Sequence, residues 1–429
     1  MPMRILITRL SAHGDIIHTL PLIRALKAAD PAVFIGWFVS ASGVGLLENH
    51  PDIDRLHVSH QKTWLKAIKP LESNKSLKTY WHNINSAKQA FQQLLTEIKQ
   101  EDYTHSIDVQ GLLKSAFWPY LAKIRVRYGF KNTREGASFF YTHCVPPMVL
   151  TDSAHHVTTR YLDFVKALGF SGQLAVNYRL PNAFDKKNIN ETLPLPAVWR
   201  HQQRENKRAI VVIAPFTQWQ SKRWPLTHWQ ELIALILTPT NTSNPSAGHS
   251  KNNPKQYPVG LVLIGGPENH DDAHQLCNAL RDYSDQICNL VGKTKWPDLY
   301  AIMRNADIVV GADSAPLHIA DACAQAAESE TATSRIPKGS NTSDPSLSGP
   351  MAPNTPNTQN SRNKPIVIGI YGPTAPGRTG PISQNSQTVS TQLPCQPCFK
   401  KHCPIQTHNC MIDLTPRQVE AAVNAHLML

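Results

Sequence analysis

The chain has 429 residues, a formal net charge of +12 and a pI near 9.3. That length suffices for two α/β domains with real cores, and the basic excess calls for an anionic partner such as a phosphorylated substrate, an acidic membrane surface or nucleic acid. The basic residues are scattered without an RNA-binding signature or zinc-finger spacing, which sets nucleic acid aside, and no apolar run approaches the roughly 18 residues of a membrane span.

Arg4–Thr8 reads as a strand that opens the chain directly, with no secretory leader, so the expected location is the cytoplasm. Gly14 permits a tight turn before a helix from about Ile16 to Ala29, whose Ile16, Ile17, Leu20, Ile23 and Leu26 form an apolar face. Asp15 then sits near a helix N-terminus at the carboxyl edge of a strand, either as a cap or as a general base. His13, in the same turn, is a candidate acceptor contact. Val33–Val39 and Arg55–Val58 are the next strands, and the Asp52-x-Asp54 pair between them reads as a solvated turn.

Lys62, Lys66 and Lys69 recur at helical spacing and could receive an anionic acceptor or form a solvated face. A largely helical stretch, Leu71–Gln100, precedes the strand Ser106–Val109. That strand ends in Gln110-Gly111-Leu112-Leu113-Lys114, a second strand–glycine–helix turn, with Gln110 and Lys114 as candidate contacts. A helix opening at Ala154 and running through Leu168 offers His155 and Arg160. The Pro- and Asn-rich segment Asn182–Arg200 reads as the interdomain linker, which gives an N-terminal domain 1–182, a linker 183–208 and a C-terminal domain 209–414.

The second half repeats the plan. Strand Ala209–Ala214 leads into a loop holding Thr217 and Lys222, then a helix Leu226–Leu237. Lys222, in a loop just beyond a strand end, suits a phosphate better than a core, or is simply solvated. Strand Val259–Ile264 exits through Gly265-Gly266-Pro267-Glu268, where Glu268 caps a helix or accepts from ribose hydroxyls. Cys288–Val291 is a short strand and Trp296–Arg304 a helix. Ile308-Val309-Val310 then form a buried parallel strand, followed by Asp313-Ser314-Ala315 and by Pro316, which suits a first helical turn. A strand, a small-residue turn and a helix N-terminus make an anion site. Pro365–Tyr371 is the last clear strand, and Pro416–Leu427 a terminal helix.

Two segments, 238–255 and 326–364, are rich in Ser, Thr, Asn and Pro and read as disordered insertions. Cys395, Cys398, Cys403 and Cys410 lie in a loop. Their spacing matches no standard zinc finger, and reduced thiols are the expectation ahead of a structural metal site.

Several stretches together carry a resemblance: Gly14-Asp15-Ile16-Ile17-His18-Thr19-Leu20-Pro21, Asp108-Val109-Gln110-Gly111-Leu112-Leu113-Lys114-Ser115-Ala116, Lys222-Arg223-Trp224-Pro225, Asp313-Ser314-Ala315-Pro316-Leu317-His318 and Tyr371-Gly372-Pro373-Thr374. In this order they resemble the ADP-heptose:lipopolysaccharide heptosyltransferases of glycosyltransferase family 9. The resemblance implies an α/β GT-B architecture of two Rossmann-like domains facing an interdomain cleft, with residues 415–429 packing back on the N-terminal domain. It implies inverting transfer of heptose from ADP-heptose to the Kdo/heptose inner core of lipopolysaccharide, without metal or other cofactor, by an enzyme peripheral to the cytoplasmic face of the inner membrane. The alternatives are a family member using another nucleotide sugar, or a non-catalytic binding protein of the same fold. By the same resemblance Asp15 is the base and Lys222 the phosphate contact. Thr217, Glu268, Asp313, Ser314, Ala315, Leu317 and His318 fall on the donor side, and His13, Lys62, Lys66, Gln110, Lys114, His155 and Arg160 on the acceptor side. The family usually has Thr-Gly after the aspartate; Ser314-Ala315 stands there in this chain.

Overall fold

A computed structural model describes residues 2–61, 63–64, 77–147, 154–171, 174–181, 195–205, 208–238, 258–334 and 364–427. They form two compact units. The first comprises Met1–Lys187 with Lys295–Pro297 and Ala375–Gly380; the second comprises Asn188–Thr294, Asp298–Thr374 and Pro381–Leu429.

The first unit is built on a parallel sheet of β1 (Arg4–Thr8), β2 (Phe34–Ser40), β3 (Arg55–Ser59), β4 (His105–Asp108), β5 (Val126–Phe130) and β6 (His143–Val145), in the order β3-β2-β1-β4-β5-β6. The second is built on β7 (Ala209–Ala214), β8 (Val259–Leu263), β9 (Ile287–Asn289), β10 (Ile308–Ala312), β11 (Ile366–Tyr371) and β12 (Gln387–Ser390), ordered β12-β11-β10-β7-β8-β9 and again parallel. Counted from its own first strand, each sheet has the same doubly wound order, which reverses between the first and fourth strands. Ligands of such sheets bind beyond the carboxyl ends of the strands at that reversal. The reversals lie between β1 and β4, and between β7 and β10.

Composition explains why the central strands are central. AIVVIA, IVVGA and IVIGIY are near-continuous apolar runs, and almost every residue in them is buried, as strands covered on both faces require. The flanking helices used below are α1 (His13–Ala29), α2 (Leu77–Gln100), α3 (Leu113–Leu121), α4 (Leu226–Leu237), α5 (His270–Ala279), α6 (Trp296–Asn305), α7 (Ala315–Ser334) and α8 (Pro416–Leu427). Gly36 in β2 has a specific role: a Cβ there would lie 1.8 Å from the Tyr103 hydroxyl, which itself pairs with the buried His57 Nε2 at 2.8 Å.

The structure departs from the sequence reading in several places. β5, β6 and β12 (VRYGF, HCV and QTVS) are short and partly exposed, so they lack the apolar run that marks a buried strand. The helix expected through Leu168 is split into Val157–Tyr161 and Asp163–Ala167, with His156 capping the first through Thr158 N–H. Part of the expected linker belongs to the second unit: Ala197–Arg204 is helical, Trp199 is buried where Gly260 leaves space, and Gln203 Nε2 donates to the Asn305 carbonyl at 2.6 Å. Residues 326–334, expected to be disordered, continue α7, and Ala326 and Ala327 are buried; residues 239–257 and 335–363 lie outside the described residues. The terminal helix α8, which the resemblance placed on the first domain, buries Val419 and Val423 in the second unit's core beside Trp224 and Trp229 of the α4 region. Asp52 is no solvated turn residue. It is buried and paired with Arg179 at 2.9 Å and Arg24 at 3.7 Å, and Arg179 is too distant in sequence for local pattern to reveal it.

Candidate active site

At the first unit's reversal, β1 runs into Arg9, Leu10 and the start of α1. Arg9 is buried; its Nη1 donates to the Val109 carbonyl at 2.8 Å, and its Nη2 lies 2.6 Å from Asp15 Oδ2. Burial opposes the charge of Arg9, but the Asp15 and Asp108 carboxylates hold its pKa above the ordinary value. Asp15 lies within the first turn of α1, its side chain 40 % exposed, and its Oδ2 also accepts from the Ala12 N–H at 3.3 Å. The capping contact and the placement expected of a base therefore coexist in one carboxylate.

β4 contributes Asp108, whose Oδ1 accepts from the N–H groups of Gln110 and Gly111 and whose Oδ2 accepts from Ser115 Oγ and the Tyr141 hydroxyl. These contacts shape the turn into α3, in which Gly111 takes φ +67°, a region side chains disfavour. Gln110 Oε1 accepts from the Leu10 N–H at 2.7 Å, so Gln110 stitches the two strand ends together. Lys114 Nζ stands 3.5 Å from Ser11 Oγ. His13, Asp15, Gln110 and Lys114 thus converge on one end of one sheet. His155 is exposed, and Arg160 is paired with Asp163 at 2.8 Å and donates to the Pro147 carbonyl. Lys62 and Lys66 lie outside the described residues.

At the second unit's reversal, the loop after β7 brings Lys222 Nζ to 2.6 Å from Asp313 Oδ2, at the end of β10. Thr374 Oγ1, beyond β11, donates to the same oxygen at 2.7 Å, and His318 Nε2 lies 3.2 Å from Oδ1. Burial alone would raise the pKa of Asp313; Lys222 and His318 overcome it and hold the carboxyl well below its usual range. Lys222 also lies over the Trp219 ring, 4.7 Å from its centroid. Asp313 and His318 are therefore braces for Lys222 and the turn. The N–H groups of Leu317 and His318 both return to the Ser314 carbonyl. Thr217 Oγ1 donates to the Trp219 carbonyl and orders the loop. Ala315 is not among the residues with positive φ, so alanine sits there without the strain that would demand glycine. Glu268 is exposed at the exit of β8.

The cysteine-rich segment braces this site. Ser221 N–H donates to the Lys401 carbonyl, and Ser221 Oγ to that of Lys400; His408 Nε2 meets the Ser221 carbonyl at 2.7 Å. Phe399 N–H donates to the Pro373 carbonyl, and Gln396 Nε2 to that of Gly372. The segment thereby ties the Lys222 loop to the Thr374 loop. Its four cysteines are free thiols, and no group of three or more His, Cys, Asp or Glu residues among those described is arranged to hold a metal. Sequence reasoning missed Arg9, Trp219 and Thr374 as members of the site. Arg9 and Thr374 each lie just beyond the carboxyl end of a central strand, which was the available signal.

The profile of glycosyltransferase family 9 (heptosyltransferase) matches residues 91–241, 252–326 and 360–408, more than half of the chain. The chain belongs to this family and is a glycosyltransferase. Among its relatives, lipopolysaccharide heptosyltransferase 1 of Campylobacter coli is 25 % identical over 324 residues, 74 % of this chain and 80 % of that protein. The protein of the same name from Pseudomonas aeruginosa is 23 % identical over 444 residues, 99 % of this chain and 98 % of that one. Among solved structures, the Escherichia coli heptosyltransferase WaaC with ADP shares the GT-B fold at a TM-score of 0.63 and 21 % identity, covering 99 % of this chain and 100 % of that one.

Proposed function

We propose that this enzyme transfers heptose from ADP-heptose to a hydroxyl of the Kdo/heptose inner core of lipopolysaccharide, with inversion and without a metal, peripheral to the cytoplasmic face of the inner membrane. The observation that carries the reading is the division of labour between the two strand reversals: an open carboxylate at one, and a braced lysine beside a helix N-terminus at the other.

An acceptor hydroxyl is a poor nucleophile until a base takes its proton, a contribution of about 10²–10⁴ in rate. Arg9 orients Asp15 through the contact to its Oδ2. Because Arg9 and Ala12 both engage Oδ2, Oδ1 is the oxygen a substrate hydroxyl would meet. The hydroxyl oxygen attacks the anomeric carbon, its proton passes to Asp15, and the bond to the diphosphate breaks with its electron pair leaving on the diphosphate oxygen. A single displacement inverts the centre and needs no glycosyl-enzyme. Lys222 and the N-terminus of α7 supply positive potential to the departing diphosphate. Ser314 Oγ, enclosed and without a hydrogen-bond partner among the described residues, gains one if a donor oxygen reaches it. The names of the relatives support heptose and lipopolysaccharide as donor sugar and acceptor.

Calorimetric titration with ADP, UDP, GDP and CMP tests the donor. Preference for ADP supports the reading; preference for UDP or GDP moves the enzyme to another nucleotide sugar, and binding of none removes the donor site.

A further inference from the structure

α3 is apolar on both faces. Ser115, Ala116, Trp118 and Pro119 point inward and are buried. Leu113, Phe117 and Tyr120, at i, i+4 and i+7, form a second stripe that is 44 %, 37 % and 50 % exposed. The turn Arg134–Phe140 extends it: the Phe140 ring packs edge-on against Phe117 and Tyr120, centroids 5.7 and 5.3 Å away, and Phe139 beside it is 89 % exposed. A contiguous exposed apolar patch of this kind marks an interaction surface.

Its rim is basic. Residues 113–145 hold Lys114, Lys123, Arg125, Arg127, Lys131 and Arg134 against a single acidic residue, Glu135. Glu135 is already engaged with the Leu113 N–H at 3.3 Å. The Arg127 guanidinium lies over the Tyr120 ring, 5.6 Å from its centroid, while Lys123, Arg125, Lys131 and Arg134 are exposed.

We infer that α3 and the Arg134–Phe140 turn dock the first unit on an anionic lipid bilayer. Aromatic side chains enter the boundary between headgroups and acyl chains, and the basic rim meets lipid phosphates. An anionic bilayer offers a negative surface directly above an apolar interior, the two properties this patch pairs. The patch also starts where the acceptor chemistry is expected: α3 leaves the turn after β4, and Lys114 reaches Ser11 in the loop leading to Asp15. The inference rests on the lipid-linked acceptor proposed above and names the surface that brings the enzyme to it.

The test is flotation of the full chain with vesicles of phosphatidylethanolamine and phosphatidylglycerol, and with phosphatidylcholine alone. Wild type, Phe139→Ser and the pair Lys131→Glu/Arg134→Glu are compared, alongside transfer to a water-soluble, deacylated acceptor. The expected result is binding of wild type to anionic vesicles, with about tenfold more lipid needed by Phe139→Ser, a larger loss for the charge reversal, and unchanged soluble transfer. Failure of wild type to bind, or equal binding by all three proteins, overturns the surface even if soluble transfer proceeds. Dissociation of a wild-type dimer by Phe139→Ser also overturns it, assigning the patch to a second copy. Lipid binding as expected with no transfer to any acceptor upholds the surface and overturns the functional reading instead.

Discussion

Lys222 Nζ lies 2.6 Å from Asp313 Oδ2, and the two residues come from loops on adjacent parallel strands, β7 and β10. Because Asp313 is buried, this pair fixes the position of the lysine and its charge together. Removing Lys222 leaves a buried carboxylate with less compensation, which typically costs about 3–5 kcal/mol. The prediction is a double-mutant cycle with coupling: Lys222→Met and Asp313→Asn each destabilise, and the double variant loses less than their sum. Denaturant unfolding measures it. Strict additivity would show that the pair contributes no interaction energy.

His57 and His50 set an acid sensitivity. Burial pushes each imidazole down to about 4 from the ordinary 6.5, with the carbonyl and carboxylate near His50 only partly opposing it. The folded chain refuses protons that the unfolded chain accepts below pH 6.5, so stability falls as pH drops from about 6.5 to 4. The loss at His57 is on the order of 3 kcal/mol. Asp313, whose pKa is depressed, loses its contribution only below its ordinary value of 3.8, in a separate window. Unfolding midpoints should fall from pH 7 to pH 4.5 in the wild type and fall less in His57→Asn; an equal fall in both would remove His57 as a cause.

The cysteines of the bracing segment differ in reactivity. Cys403 Sγ accepts from the His408 N–H at 3.4 Å, and this contact, with those from Ile405, Gln406 and Thr407, lowers its pKa. Burial, with the nearby Cys395, Cys398 and Cys403, pushes Cys410 up to about 11. Iodoacetamide at neutral pH should therefore modify Cys403 well before Cys410, since the thiolate is the nucleophile. Peptide mapping by mass spectrometry over a time course reads the order, and faster labelling of Cys410 would contradict it.

The sequence was legible where one local pattern had one structural meaning. The apolar runs of β1, β7, β10 and β11 marked strands, and the turns and loops after β1, β7 and β10 marked Asp15, Lys222 and Asp313 as residues at strand ends. What stayed hidden depended on partners far along the chain. Asp52 looked like a turn residue because Arg179 is 127 positions away. Thr374 joined the Asp313 cluster across 61 positions. The Ser- and Thr-rich composition after Ala326 masked two further turns of α7. Trp199 looked like part of a linker because the glycine that accommodates it, Gly260, lies about sixty residues on, in β8.

The most direct test of the account is turnover. Wild type and Asp15→Asn are incubated with ADP-heptose and a Kdo-bearing lipid A acceptor, and ADP release and glycosylated product are quantified while ADP affinity is measured in parallel. The account predicts product from the wild type, with a rate lower by about a hundredfold or more in Asp15→Asn and ADP binding unchanged. Wild-type-like turnover by Asp15→Asn would contradict the assignment of the base, and absence of product from the wild type would contradict heptosyl transfer itself.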